Sequence, residues 1–172
     1  MERTVADQSL RQWRTEKEGQ FFDRKSARIA PKDLATNICA FANASGGSII
    51  VGIEDDGTLT GVSQNQENEL RQAVLDFLVY MPEVKTEVVF AIAEDCPKGC
   101  RLLTFEIEPS YDSIIKTKSG EAYLRVGDKS RKLSAAQLME LEYSKGTRSY
   151  ETTIIPDASC RLSFWNHLFT KL

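Results

Sequence analysis

Three short stretches of the chain concentrate the side chains that could do chemistry. The first is Glu16-Lys17-Glu18-Gly19-Gln20-Phe21-Phe22-Asp23-Arg24-Lys25. As a strand, its alternation puts Asp23 and Lys25 on one face and Arg24 on the other. An acid two residues before a lysine suits metal-dependent phosphodiester hydrolysis, in which the lysine orients water or steadies the leaving charge. The second stretch, Ala40 to Gly57, passes through Gly46-Gly47 into the apolar run Ile49-Ile50-Val51 and delivers Glu54, Asp55 and Asp56. Three adjacent acids can offer oxygen ligands to Mg²⁺ or Mn²⁺. Taken alone, Asp-Asp-Gly is ordinary turn chemistry. The third stretch, Tyr123 to Lys132, reads as a strand entering a basic turn before a helix, where arginine, lysine and backbone amides could take a phosphate.

Periodicity supplies the elements that must position these groups. Ser9 to Thr15 can form a short helix with Leu10 and Trp13 on one face, and Gln20 to Ser26 a strand. Pro31 to Ala44 reads as a helix with Leu34, Ile38, Phe41 and Ala42 at helical spacing. Ser48 to Ile53 is a buried strand, with Asp55-Asp56-Gly57 turning it into a return over Thr58 to Val62. Gln64 to Tyr80 is a second amphipathic helix that Pro82 ends. Val84 to Ala93 and Arg101 to Glu108 are strands joined by the loop from Asp95 to Gly99. Ser113 to Thr117 and Glu121 to Val126 form a hairpin about Ser119-Gly120, and a helix runs from Ser134, its N-cap, to Tyr143. This order predicts an α+β fold, a mixed and mostly antiparallel sheet with helices packed on it. The domain is expected to span 1–146. Residues 147–172 read as a linker and small C-terminal arm, or as the start of a following domain.

Composition removes several classes. The 172 residues carry 22 Lys+Arg against 25 Asp+Glu, a net charge of −3, which excludes a uniformly basic nucleic-acid binder. The basic side chains are nevertheless dense near the N-terminus and in 116–132, where Lys116, Lys118, Arg125, Lys129, Arg131 and Lys132 face only Glu121 and Asp128. Such a split can make one basic face on an acidic protein. It also fits lysines guarding a solvated edge strand. No apolar run approaches the ~20 residues of a membrane helix, and the stretch from Met1 to Arg14 lacks a signal-peptide core. Cysteines at 39, 96, 100 and 160 do not make a disulfide framework, so a cytoplasmic location is expected. The single histidine, His167, is the only one a Ser-His or Cys-His mechanism could use. The spacing of Cys96, Cys100, Cys160 and His167 is poor for zinc.

Together and in order, these patterns resemble the Schlafen AlbA-type domain. The family's Glu-x4-Glu-Phe-Lys element has its counterpart at Glu18 to Lys25. Its helix end is matched by Ala40-Phe41-Ala42-Asn43-Ala44-Ser45-Gly46-Gly47, its strand end by Gly52-Ile53-Glu54-Asp55-Asp56-Gly57, and its Tyr-x-Arg-x-Gly strand by Tyr123 to Gly127. The resemblance implies an AlbA-like fold and nucleic-acid binding, often in transcriptional regulators. It also implies, from animal members, a metal-dependent ribonuclease site that would fall here on Glu18, Asp23 and Asp55, with Lys25 beside them. The chain departs from the pattern at Asp23, where the family has Glu, and at Arg24, which replaces Phe. It shows one lobe where the animal enzymes have two, which suggests a homodimer.

Three functions follow as expectations. The first is a regulatory, DNA-binding module that places Lys25, Arg28, Lys116, Lys118, Arg125, Lys129, Arg131 and Lys132 on phosphates. The second is an endoribonuclease using Mg²⁺ or Mn²⁺ on Glu18, Asp23 and Asp55 with Lys25 assisting; no other cofactor is expected. The third is an interaction scaffold using the aromatic residues Phe164, Trp165 and Phe169.

Overall fold

The computed structural model describes residues 2–4, 7–94 and 96–146. The expected arm at 147–172, with Cys160, His167 and its aromatic residues, lies outside the described residues. The chain runs β1 (Glu2–Thr4), α1 (Asp7–Thr15), β2 (Phe22–Lys25), α2 (Pro31–Asn43), β3 (Gly47–Val51), α3 (Gln64–Phe77), β4 (Val84–Ala93), β5 (Cys96–Ile107), β6 (Tyr123–Val126), β7 (Lys129–Lys132) and α4 (Ala135–Ser144). The first five strands, omitting none before β6, form one sheet in the order β1-β4-β5-β3-β2. Its inner pairs, β4–β5 and β3–β5, are antiparallel, and its two edge pairs, β1–β4 and β2–β3, are parallel. Strands β6 and β7 form a separate antiparallel hairpin. The fold is α+β, as the element pattern predicts.

Period-2 alternation divides the apolar residues between two cores. On one face Ile49 and Val51 of β3 and Leu103, Phe105 and Ile107 of β5 meet Leu34, Ile38 and Phe41 of α2 and Leu70 and Val74 of α3. On the other face Ile50 and Leu102 join Phe22, Ile53, Leu59 and Leu10 of α1. Helix α3 starts on a capping box, with Ser63 Oγ accepting from the Gln66 amide and the Gln66 side chain accepting from the Ser63 amide. Helix α4 repeats the device with Ser134 and Gln137. Between α2 and β3, Gly47 has φ 141°, and a Cβ there would lie 2.4 Å from the Phe21 carbonyl oxygen. A side chain at that position would force β2 and β3 apart.

Several boundaries differ from the sequence expectation. Thr58 to Val62 returns without forming a strand; only Leu59 pairs, with Ile53. Helix α3 stops at Phe77 instead of Tyr80 because the next residues pair with a distant segment. The Val79 amide donates to the Lys116 carbonyl at 2.9 Å, and the Lys118 amide donates to the Phe77 carbonyl at 2.8 Å. Ser113 to Thr117 is therefore not half of a hairpin. The hairpin is β6–β7, turning at Gly127-Asp128, in the stretch read as a basic turn. Strand β5 begins at Cys96 rather than Arg101. Cys96 and Cys100 are joined by a disulfide, a pairing the cysteine spacing did not suggest. Strand β1 was not anticipated.

The end of α2 anchors the segment that leads to the hairpin. Asn43, 2% exposed, donates to the Ile115 carbonyl at 2.8 Å and the Tyr123 carbonyl at 2.9 Å. Its Oδ1 accepts from the Ile115 amide at 2.8 Å. One amide thus satisfies three buried backbone groups that sheet pairing does not reach. Asn43→Ala should lower unfolding free energy by about 2–4 kcal/mol, since each stranded group costs on the order of 1 kcal/mol or more. Urea denaturation measures this, and a loss under about 0.5 kcal/mol would contradict the anchoring role.

Candidate functional site

Asp23 lies in β2, on the face opposite Arg24, and is fully buried. Its two oxygens are occupied by different cations. Oδ2 accepts from Arg125 Nη1 at 3.0 Å, and Oδ1 accepts from Lys25 Nζ at 2.7 Å. Arg125 comes from β6 with its side chain only 1% exposed. Its Nε donates to the Gly19 carbonyl at 3.0 Å, and its guanidinium lies over the Phe41 ring, 4.7 Å from the centroid. The cation expected on a phosphate is thus turned inward. It holds a carboxylate, a carbonyl and an aromatic face, which is how a buried charge becomes tolerable.

Glu18 completes the cluster. Its Oε1 is buried, accepts no hydrogen bond, and lies 3.7 Å from Lys25 Nζ. Burial, and then the neighbouring Asp23 carboxylate, push its pKa above the ordinary carboxylate range, against the pull of Lys25. Arg24, on the opposite face, donates from Nη1 to the Trp13 and Arg14 carbonyls at 3.0 and 2.7 Å. It caps the C-terminal turn of α1, where a cation is favoured.

The acidic turn after β3 is held by its own network. Glu54 accepts from Ser26 Oγ at 2.8 Å, from Thr60 Oγ1 at 3.0 Å and from Arg28 Nη2 at 3.0 Å. These bonds, the Ser26 one foremost, hold its pKa low. Asp56 Oδ1 accepts from the Thr58 amide at 2.8 Å, which is the turn chemistry weighed for this stretch. Asp55 is exposed. Among the described residues no group of three His, Cys, Asp or Glu side chains could hold a metal ion. Glu18 and Asp23 come together, but both Asp23 oxygens are already paired and Asp55 does not join them in a metal-holding group. In this arrangement the donor set does not fit a divalent cation.

The basic residues divide by location. Lys25 is committed to Asp23. Lys116 pairs with Glu142 at 3.5 Å, Arg28 with Glu54, and Lys132 with Glu121. Lys118, Lys129 and Arg131 are exposed. On the hairpin, Tyr123 pairs with Lys132 and Arg125 with Ser130, while Leu124 pairs with Arg131 and Val126 with Lys129. Alternation turns Tyr123, Arg125 and Ser130 toward the body and the second set outward, while Lys132 at the strand end is exposed beside Glu121. Ser130 Oγ donates to Asn37 of α2 at 2.7 Å. Gln20 clamps the turn end, donating to the Arg125 carbonyl at 3.1 Å and accepting from the Gly127 amide at 2.9 Å. Lys118 shares a cleft of about 220 Å³ with Lys32, Phe77, Thr117 and Ser119. Lys32, Gln20 and Asn37 were missed because nothing in their own neighbourhoods signals a role. Only the position of the hairpin gives them one.

The geometry defines an α+β module with a rigidly fastened cationic hairpin. The family model described as Schlafen, AlbA_2 matches residues 18–134, and the chain belongs to this family. Membership supports, at family level, a module of nucleic-acid-binding type. A solved structure, the DIP2311 protein from Corynebacterium diphtheriae, is similar over 73% of this chain, with 24% identity and a TM-score of 0.53. This chain spans 24% of that protein's length, and the likeness is one of fold. No curated protein matches the chain.

Two measurements test the cluster. Arg125→Met should cost about 3–5 kcal/mol in denaturant unfolding, because it leaves the Asp23 charge buried with one partner. A cost near that of a surface substitution would refute the pairing. Glu18 titrates with the opposite sign to a salt-bridged acid. Its folded pKa is raised, so the folded state holds the proton more tightly than the unfolded chain, and stability falls as pH rises through that interval. Glu18→Gln should therefore equal or exceed the wild-type Tm at neutral pH, and this advantage should vanish on acidification below the unfolded-state pKa.

Proposed function

We propose that this domain is a regulatory nucleic-acid-binding module, with DNA as its principal target, that holds phosphates on the outer face of the β6–β7 hairpin. The observation that carries the reading is that exposed Lys129 and Arg131 share the outer face of a hairpin whose inner residues are fastened to β2 and α2. The backbone that carries these cations is held before binding, so ordering it takes nothing from the phosphate contacts. Lys118 and Lys32 extend the basic surface from the neighbouring cleft. Arg28, Lys116 and Lys132, each paired with a carboxylate, would contribute less, and Lys25 and Arg125 serve the interior. A homodimer would let two hairpins act on one polymer. The nuclease reading on Glu18, Asp23 and Asp55 has less support, because Asp23 is closed by its two cations.

The test is binding to labelled duplex DNA across a salt series, with Mn²⁺ or EDTA present. Affinity should fall steeply with salt. The combined Lys118→Ala, Lys129→Ala and Arg131→Ala variant should bind at least tenfold more weakly at low salt, with a log–log salt slope shallower by about 2–3. An unchanged slope would remove the hairpin from the interface. Mn²⁺-dependent cutting that is lost in Asp23→Ala would restore the enzyme reading.

A further inference from the structure

Phe21 follows Gln20, whose side chain bonds the β6–β7 hairpin, and belongs to neither core cluster. It is 61% exposed although the residue after it, Phe22, is buried. Its backbone is held tightly. Its carbonyl accepts from the Ser48 amide at 2.8 Å, and the Gly19 amide donates to the Phe22 carbonyl at 2.9 Å. The absence of a Cβ at Gly47 spares this carbonyl a collision. The preceding residue, Gln20, bonds to the backbone of Arg125 and Gly127, so Phe21 and the β6–β7 turn share one frame. Val126, on the outward face of that turn, is 48% exposed and pairs with Lys129.

Leaving a phenyl ring in water forfeits the stabilisation its burial would bring. An exposed ring whose backbone shares a frame with a cation-bearing hairpin matches what unpaired bases require, a π-face for stacking with charges for the flanking phosphates. A duplex offers the same phosphates but keeps its base faces stacked inside. Resting on the phosphate-binding reading above, we propose that this edge prefers single-stranded nucleic acid to duplex. Phe21 stacks on an unpaired base while Lys129 and Arg131 hold the adjoining phosphates.

The experiment is fluorescence anisotropy with oligo-dT and oligo-rU of about 15 nucleotides and a DNA duplex of equal phosphate number. The proteins are the full chain, Phe21→Ala, Phe21→Trp and the Lys129→Ala/Arg131→Ala pair. The wild type should bind the single strands more tightly. Phe21→Ala should weaken single-strand binding about 5- to 100-fold and leave duplex binding nearly unchanged, while Phe21→Trp should retain single-strand affinity. The paired variant should weaken both. Loss in the paired variant with Phe21→Ala unaffected, or equally affected on both substrates, would overturn the stacking role and leave the phosphate reading standing. No binding by the wild type, or no effect of the paired variant, would overturn both. Circular dichroism of each variant separates these results from unfolding, and Phe21→Trp keeps the test decisive should Phe21→Ala not fold.

Discussion

The contact between Asp23 and Arg125 joins residues 102 apart in the chain. Both side chains are removed from water, so each charge leans on the other to be tolerated there. The pair therefore dictates where the β6–β7 hairpin lies, because β6 must deliver its guanidinium to the beginning of β2. Other features follow from that placement. Phe41 receives the flat side of Arg125, Gly19 and Phe22 lend it carbonyls, and Glu18 is left beside a carboxylate that is already paired. The remaining Asp23 oxygen takes Lys25, which is why a lysine that looks suited to phosphate is engaged within the protein.

This explains what could and could not be read in advance. Helix α2 was legible because Leu34, Ile38 and Phe41 repeat at a local period and Gly46-Gly47 stops it. The division of Asp23 and Lys25 from Arg24 was legible because alternation is also local. Arg125 was placed on the wrong side of the surface because its partner lies far away in sequence, and no property of Tyr-Leu-Arg-Val marks an arginine that will be buried. The hairpin was shifted for a related reason. Ser119-Gly120 and Gly127-Asp128 are both good turns, and the choice between them rests on the pairing of 116–118 with the end of α3. The Cys96–Cys100 bond spans a register irregularity opposite Ala91 and Ala93 that leaves no local trace. Charge density marks the stretch that carries the exposed cations Lys118, Lys129 and Arg131, because it is a property of the local sequence.

The acidic turn illustrates how one motif can serve geometry instead of catalysis. Glu54 gathers Ser26 and Arg28 from the β2–α2 loop and Thr60 from the returning segment, and Asp56 closes its own loop. Arg14 reaches in from α1 to donate to the Gly57 carbonyl at 2.8 Å, which ties the turn to the first helix. The same residue types that suit a metal here fasten the ends of β2 and β3.

The hairpin divides its labour by parity. Tyr123, Arg125 and Ser130 face the body and make the attachments and Lys132 pairs with Glu121 at the strand end, whereas Leu124, Val126, Lys129 and Arg131 face away. Anchoring and presentation are thus written in alternate letters of the same eight residues. Outward positions can be exchanged without touching the bonds that hold the hairpin, so a lineage, or an engineer, can change what the surface greets while inheriting the scaffold intact.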